Sequence, residues 1–174
     1  VIAEQIRCAR LVLQPLRVSH APGMSRVLAD PALYAFTGGE LPSIAELTAR
    51  YERQTAGRSP DGVETWLNWV VTDLAGEPLG YVQATVTGAA DGAGGEPVEE
   101  EGQAEVAWVV ATSQQGRGYA TEAALALVDW LRARGVTQFV AHIHPDHRAS
   151  QAVARHLGLH PTATRVDGED RWES

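Results

Sequence analysis

Gln115-Gly116-Arg117-Gly118-Tyr119-Ala120 is the stretch whose reading decides the fold. It stands between a strand-like run, Ala104 to Val110, and a helix-like run, Thr121 to Arg134. Glycine tolerates backbone conformations closed to other residues, so a tight turn is the minimal reading. A second reading comes from the helix that follows. The first turn of a helix has N–H groups without intrahelical partners, and its dipole end is positive. Two glycines at that mouth leave the amides uncovered, which is the arrangement of an anion site, most often for phosphate. Arg117 adds a positive charge.

The elements on either side set this turn in context. Arg10 to Leu16 (RLVLQPL) alternates and reads as a strand. Ser19 to Leu28 is a candidate helix with Pro31 beyond its end. Ser43 to Ala56 is a second helix, opened by a capping box of Ser43 and Glu46. Thr65 to Leu74 and Leu79 to Thr87 form a hairpin about Ala75-Gly76-Glu77-Pro78, and Ala104 to Val110 extends it to a meander. Between them, Gly88 to Gly102 is rich in Gly and Ala, then acidic, and reads as a surface loop. After the glycine turn, Ala123, Leu127, Trp130 and Leu131 share one helix face, and Gly135 ends that helix. Gln138 to Ile143 is a strand, and Ala149 to Leu157 a short helix stopped by Gly158. Asp167-Gly168 marks a final hairpin. The strand–helix–strand unit from Val106 to Ile143 requires a parallel pair with a right-handed crossover. A crevice opens at the C-terminal ends of such strands, where the glycine turn lies.

Bulk composition narrows the function classes. A chain of 174 residues, 44% hydrophobic and 21% charged, reads as a single globular domain over 1–174. Cys8 is the one cysteine, which excludes an internal disulfide framework and fits a reducing, cytoplasmic setting. No apolar run approaches the ~20 residues of a membrane span, and Val1 to Gln5 lacks a signal layout. The absence of an initiator Met points to a trimmed chain. A net charge of −8 without a basic stripe argues against nucleic acid. It suits either a cationic partner or simple solubility.

These residues resemble the GNAT superfamily of N-acetyltransferases. The family signature Q/R-x-x-G-x-G/A is met by Gln115, Gly118 and Ala120. The longer QGRGYATEA, from Gln115 to Ala123, is similar to the ribosomal-protein-alanine acetyltransferase-like branch. So are RLVLQPL, the hairpin GEPLGYVQATV and the segment HRASQAVARHLGL, and the resemblance spans the chain. It implies an α/β (α+β) fold, with a mixed, mostly antiparallel twisted sheet of about seven strands and about four flanking helices.

The resemblance also implies a chemistry. Acetyl-CoA is the expected cosubstrate, with no metal. Its pyrophosphate would lie on the amides of Gly116, Arg117, Gly118, Tyr119, Ala120 and Thr121, beside Gln115. Its pantetheine arm would follow the strand edge at Trp108, Val109 and Val110. An N–H near Val109 or Val110 would face the thioester oxygen. Transfer is by direct attack, so no protein nucleophile is needed. Glu105 stands where many relatives place a base; as a strand residue it could equally be plain surface. Glu122 and Tyr119 read as a dipole-favouring carboxylate and a packing ring. Relatives carry N-x-x-A-x-x-x-Y before the terminal helix's glycine, with Tyr as the acid. Here those positions are His147, Ser150 and Ala154, so the usual acid is missing. Ser150 is the expected proton donor to the thiolate, or else a helix-start hydroxyl. His147 is expected on the CoA arm.

The expected acceptor is a primary amine, either a small molecule or a peptide N-terminus, with neither nucleic acid nor membrane as partner. Candidate specificity elements are Tyr34-Ala35-Phe36, Tyr51, the Gly88–Gly102 loop with Glu99, Glu100 and Glu101, and the C-terminal hairpin. Strand edges near the C-terminus suit a monomer or a homodimer. Two alternatives compete. One is an acyl-CoA-binding module without catalysis, motivated by the missing Tyr. The other is a zinc hydrolase built on His142-Ile143-His144-Pro145-Asp146-His147, which spells H-x-H-x-D-H. Only His156 and His160 follow as further histidine ligands. On a strand His142 and His144 share a face, and packing of one face on a helix would explain partly buried histidines.

Overall fold

The computed structural model describes residues 1–88 and 102–174. Most of the expected Gly88–Gly102 loop, with Glu99, Glu100 and Glu101, therefore lies outside the described residues. Strands β1 (Ile6–Arg7), β2 (Leu11–Pro15), β3 (Thr65–Asp73), β4 (Pro78–Thr87), β5 (Gly102–Val110), β6 (Val136–Ile143), β7 (His160–Val166) and β8 (Glu169–Glu173) form one sheet. The sheet has eight strands, ordered β1-β2-β3-β4-β5-β6-β8-β7. The strand beyond the expected seven is β1, only two residues long and so without a readable alternation. All pairings are antiparallel except β5 with β6.

Helices α1 (Ala21–Val27), α2 (Ile44–Gln54), α3 (Tyr119–Arg132) and α4 (Arg148–His156) flank the sheet. The capping box at α2 is formed: the Ser43 N–H donates to Glu46 Oε2 at 2.8 Å, and the Glu46 N–H donates to Ser43 Oγ at 3.2 Å. Such a cap stabilises a helix start by about 1 kcal/mol. A 3-10 turn over Pro31–Tyr34 joins the two N-terminal helices.

Alternation along the strands divides the interior in two. Leu67, Trp69 and Val71 of β3 face α3 and α4, where Leu127, Leu131 and Val153 complete the larger core. Val70 faces the other way and packs with Met24, Leu28, Leu47 and Tyr51 of α1, α2 and the residue after α1. Among the described residues no helix is long and apolar enough to cross a membrane.

Candidate functional site

The parallel pair β5–β6 separates early. Its last registered pair is Glu105 with Val140. Beyond it, β6 takes β8 as partner, with His142 opposite Arg171 and Ile143 opposite Asp170. β5 runs on to Val110 with β4 alone, ending at the Gly80–Val110 pair. Residues 106–110 therefore present an unpaired strand edge to the crevice between β5 and β6.

One peptide unit on this edge, Val109–Val110, sits tight against β4. A Cβ built on Gly80 would lie 2.0 Å from the Val109 carbonyl oxygen, so that carbonyl is pressed onto Gly80. Among the described residues no peptide bond is cis. In a trans unit the N–H points opposite to the C=O. The Val110 N–H therefore points away from β4. Gly80 was not singled out in the sequence, although a lone glycine inside a strand signals a close backbone approach.

The glycine turn follows directly. Gly116 and Gly118 have φ of 75° and 79°, in the left-handed region. Gly118 is the N-cap of α3 and offers no side chain to its amides. Among the described residues, the N–H groups of 116–121 have no hydrogen-bond partner, and the first helical bond runs from Glu122 N–H to Gly118 O at 3.0 Å. The Gln115 side chain ties the turn to β5 by donating to the Val110 carbonyl at 3.1 Å. Arg10 holds the other side: it donates to the Arg117 carbonyl at 2.9 Å and from Nε to Glu122 at 2.7 Å. Its guanidinium lies 4.7 Å from the Tyr119 ring centroid. Glu122 and Tyr119 thus serve to fasten the turn. The fold brings Cys8 near Glu122 in the first turn of α3. Burial, and secondly the Glu122 charge, push its thiol up to about 11.

Two cavities meet at the open edge. The first, about 480 Å³, is lined by Trp108, Val109 and Val110, by the turn from Gln115 to Thr121, and by the start of α4. Arg117 alone of the residues expected at the cosubstrate is not on its wall; its carbonyl is engaged and its side chain is exposed. The second cavity, about 340 Å³, holds Glu105, His142, His144, Glu169, Arg50 and Tyr81 among its walls. Both cavities share Leu33, Phe36, Trp108, Val109, His147 and Ser150.

At this junction α4 is capped by a ring nitrogen. The Ser150 N–H donates to His147 Nδ1 at 2.9 Å, making His147 the N-cap. An accepting Nδ1 places the proton of the neutral ring on Nε2. Ser150, three residues on, is relieved of capping, and its hydroxyl makes no hydrogen bond among the described residues. Phe36 packs edge-on against His147 at 4.5 Å and lies 5.3 Å from His144. Ala154, where relatives carry Tyr, is fully buried in the larger core.

The histidines of β6 do not lie on the helix-packed face. Phe139, Ala141 and Ile143 occupy that face in the larger core. His142 and His144 take the opposite one and line the second cavity. No three His, Cys, Asp or Glu side chains among the described residues converge as a metal site. The residues missed in the sequence are Gly80, Arg50 and Glu169, and His142 was singled out only as a zinc-ligand candidate or a packed strand histidine. Arg50 and Glu169 come from α2 and β8, and no local motif marks them.

Residues 10–160 match the family model described as the acetyltransferase (GNAT) domain. The chain belongs to the GNAT acetyltransferase family. Solved GNAT-like structures superpose over nearly its whole length. RimL, a ribosomal L7/L12 alpha-N-protein acetyltransferase solved with coenzyme A, gives a TM-score of 0.74 at 18% identity, covering 98% of this chain and 97% of that one. An acetyltransferase from Agrobacterium tumefaciens gives 0.70 at 24% identity, covering 100% and 95%. A GNAT-family acetyltransferase from Bacillus anthracis gives 0.71 at 13% identity, covering 98% and 96%. At these identities the likeness is one of fold. No curated protein matches the sequence. Acetyl transfer is the GNAT activity the fold carries.

Proposed function

We propose that this protein moves the acetyl group of acetyl-CoA to a primary amine, of a small molecule or a peptide N-terminus, by direct attack. The carrying observation is that one cavity joins an unpaired strand edge to a partnerless amide turn. An extended arm ending in a pyrophosphate fits that pair of features. The amides of 116–121 and the positive end of α3 bind the phosphates. Trp108, Val109 and Val110 hold the arm as an added strand. The Val110 N–H meets the negative charge that develops on the thioester oxygen. Acetyl-CoA supplies the activated acyl group; the protein supplies position and proton transfer.

The second cavity receives the amine. Glu105 takes its proton, and Ser150 gives one to the departing thiolate at the junction, with the His147 Nε2–H alongside. The RimL structure, bound to coenzyme A and named for a protein N-terminus as acceptor, supports both halves of this reading by similarity. The test is calorimetric titration with CoA, followed by thiol release from acetyl-CoA over a panel of amines and peptides. CoA binding with amine-dependent thiol release is expected. CoA binding without release from any acceptor would leave a silent acyl-CoA-binding module.

A further inference from the structure

The second cavity contains one polar contact that no motif announces. Glu105 Oε1 lies 3.1 Å from His142 Nδ1. Strand geometry produces it. Glu105 is registered with Val140, and His142 follows Val140 by two residues, on the same face. The contact forms where β5 and β6 part, so it bridges the mouth of the crevice. An ionised carboxylate only accepts hydrogen bonds, so Nδ1 carries the proton and Nε2 of the neutral ring is bare. That Nε2 is buried and without a partner among the described residues. The ring thus has one polar outlet, Glu105.

The two partners differ in freedom. The Glu105 side chain is 55% exposed, whereas the His142 side chain is 18% exposed, between β5 and β8. A half-exposed carboxylate on a flexible stem spreads over several rotamers unless something holds it. The charged and titratable groups near His142 are few. Glu105 stands on β5, His144 just beyond β6, Tyr81 on β4 and His147 at the N-cap of α4. On β8, Glu169 shares the cavity, and Arg171, opposite in register, is engaged by Glu173 at 3.0 Å. Arg50 of α2 and Tyr34 lie on the same cavity wall.

We propose that His142 is a positioning residue for acetyl transfer. Its Nδ1–H holds one oxygen of Glu105 at the crevice mouth and leaves the other for the acceptor's proton. In the step it serves, an N–H bond of the incoming ammonium breaks and a Glu105 O–H bond forms. The freed electron pair stays on nitrogen and attacks, and His142 keeps its own proton. This rests on the acetyl-transfer reading above and adds a residue to it.

The test compares His142→Ala, His142→Asn, Glu105→Gln and the His142→Ala/Glu105→Gln double variant with the parent. It uses acetyl-CoA and the best acceptor of the panel. His142→Ala is expected to lower kcat by about 10- to 100-fold, within the range of general-base contributions. KM for acetyl-CoA should stay within about twofold, because His142 is not on the first cavity's wall. Asn presents an N–H near the position of Nδ1, so His142→Asn should recover most of the rate. The double variant should be no slower than Glu105→Gln alone. Full activity in His142→Ala, beside a slow Glu105→Gln, would overturn the inference and leave acetyl transfer standing. An unaffected Glu105→Gln would overturn it together with the role of Glu105. Nitrogen NMR of the His142 ring decides the matter even if no panel member is acetylated. An Nδ1–H tautomer lost in Glu105→Gln is expected, and a ring signal indifferent to that change overturns the contact.

Discussion

The two cavities either side of Trp108 and Val109 are built from different materials. The side proposed for the donor is mostly backbone: the Val110 N–H facing away from β4, an unpaired strand edge, and the amides of 116–121. The side proposed for the acceptor is side chains: Glu105, His142, Arg50 and Glu169, brought from β5, β6, α2 and β8. The contrast follows from the two ligands. One donor is common to the family, and phosphates and a thioester can be gripped by amides that any sequence supplies. An acceptor has to be chosen, and choice requires groups that substitution can change. If this division is real, the donor side should fail through changes of backbone conformation, and the acceptor side through changes of functional group.

The largest effect expected on the donor side is from Gly118→Val. Gly118 has φ of 79°, and a β-branched residue is strained there. A Cβ there would also meet Arg10 Nη2 at 3.5 Å, the side chain that fastens the turn. CoA affinity should fall by about 100-fold or more, read by calorimetry, since the anion site depends on close approach of backbone. Circular dichroism at the assay temperature should show the fold retained. Unchanged affinity would place the phosphates somewhere else.

Gly80→Ala comes next. Its Cβ would meet the Val109 oxygen at 2.0 Å and Val110 Cα at 2.9 Å, both backbone atoms. Overpacking against backbone costs about 1–3 kcal/mol, so Tm should drop by several degrees. The sharper expectation is kinetic. Shifting the 109–110 peptide moves the Val110 N–H, and kcat should fall about tenfold or more, with CoA affinity less affected. A stability loss without a kcat loss would remove that amide from the reaction.

The difference in material also decided what was legible beforehand. The donor side was readable because its parts are contiguous: Gln115 to Ala123 spells a strand-to-helix turn, and its glycines have the left-handed φ such a turn requires. The same locality exposed the Ser43–Glu46 box. The acceptor side was readable only at Glu105, because no window of sequence contains α2, β5, β6 and β8 together. Period two placed His142 and His144 on one face without saying which. Helix packing was the expected cause of their burial, and Ala141 and Ile143 took that face instead. His147 was expected on the CoA arm, and Ser150 as the proton donor or else as a helix-start hydroxyl. The ring of His147 does the capping and frees the Ser150 hydroxyl.

Ser150 sits on both cavities and so tests the boundary between the two materials. Ser150→Ala removes one hydroxyl and leaves its backbone N–H on His147 Nδ1. The start of α4 should therefore persist and CoA affinity should stay near normal. Turnover should fall by about tenfold, the low end for a proton donor that water can partly replace. An unaltered rate would hand the thiolate's proton to water or to the Nε2–H of His147.

The smallest effect is expected at Cys8, and it bears on whether anything on the donor side reacts. Cys8 is the one cysteine, and the fold sets it near Glu122 at the base of the glycine turn. A reader of proximity alone would consider an acetyl-cysteine relay. Burial, then the Glu122 charge, raise the thiol to about 11 from an ordinary 9.0. The thiolate is the nucleophile, so at pH 8 its fraction is about 100-fold below that of an ordinary thiol. Alkylation by iodoacetamide should be slowed by about that factor in the folded protein and restored in denaturant. The linkage has a sign as well. The folded state holds the proton more tightly than the unfolded one, so this contribution is intact below pH 9 and is lost as pH rises through about 11. Cys8→Ser should leave kcat at the parental value, because direct attack needs no covalent stop on the protein. A large loss of kcat with the fold intact would put a side chain into the donor half and end the division between a backbone-built and a side-chain-built cavity.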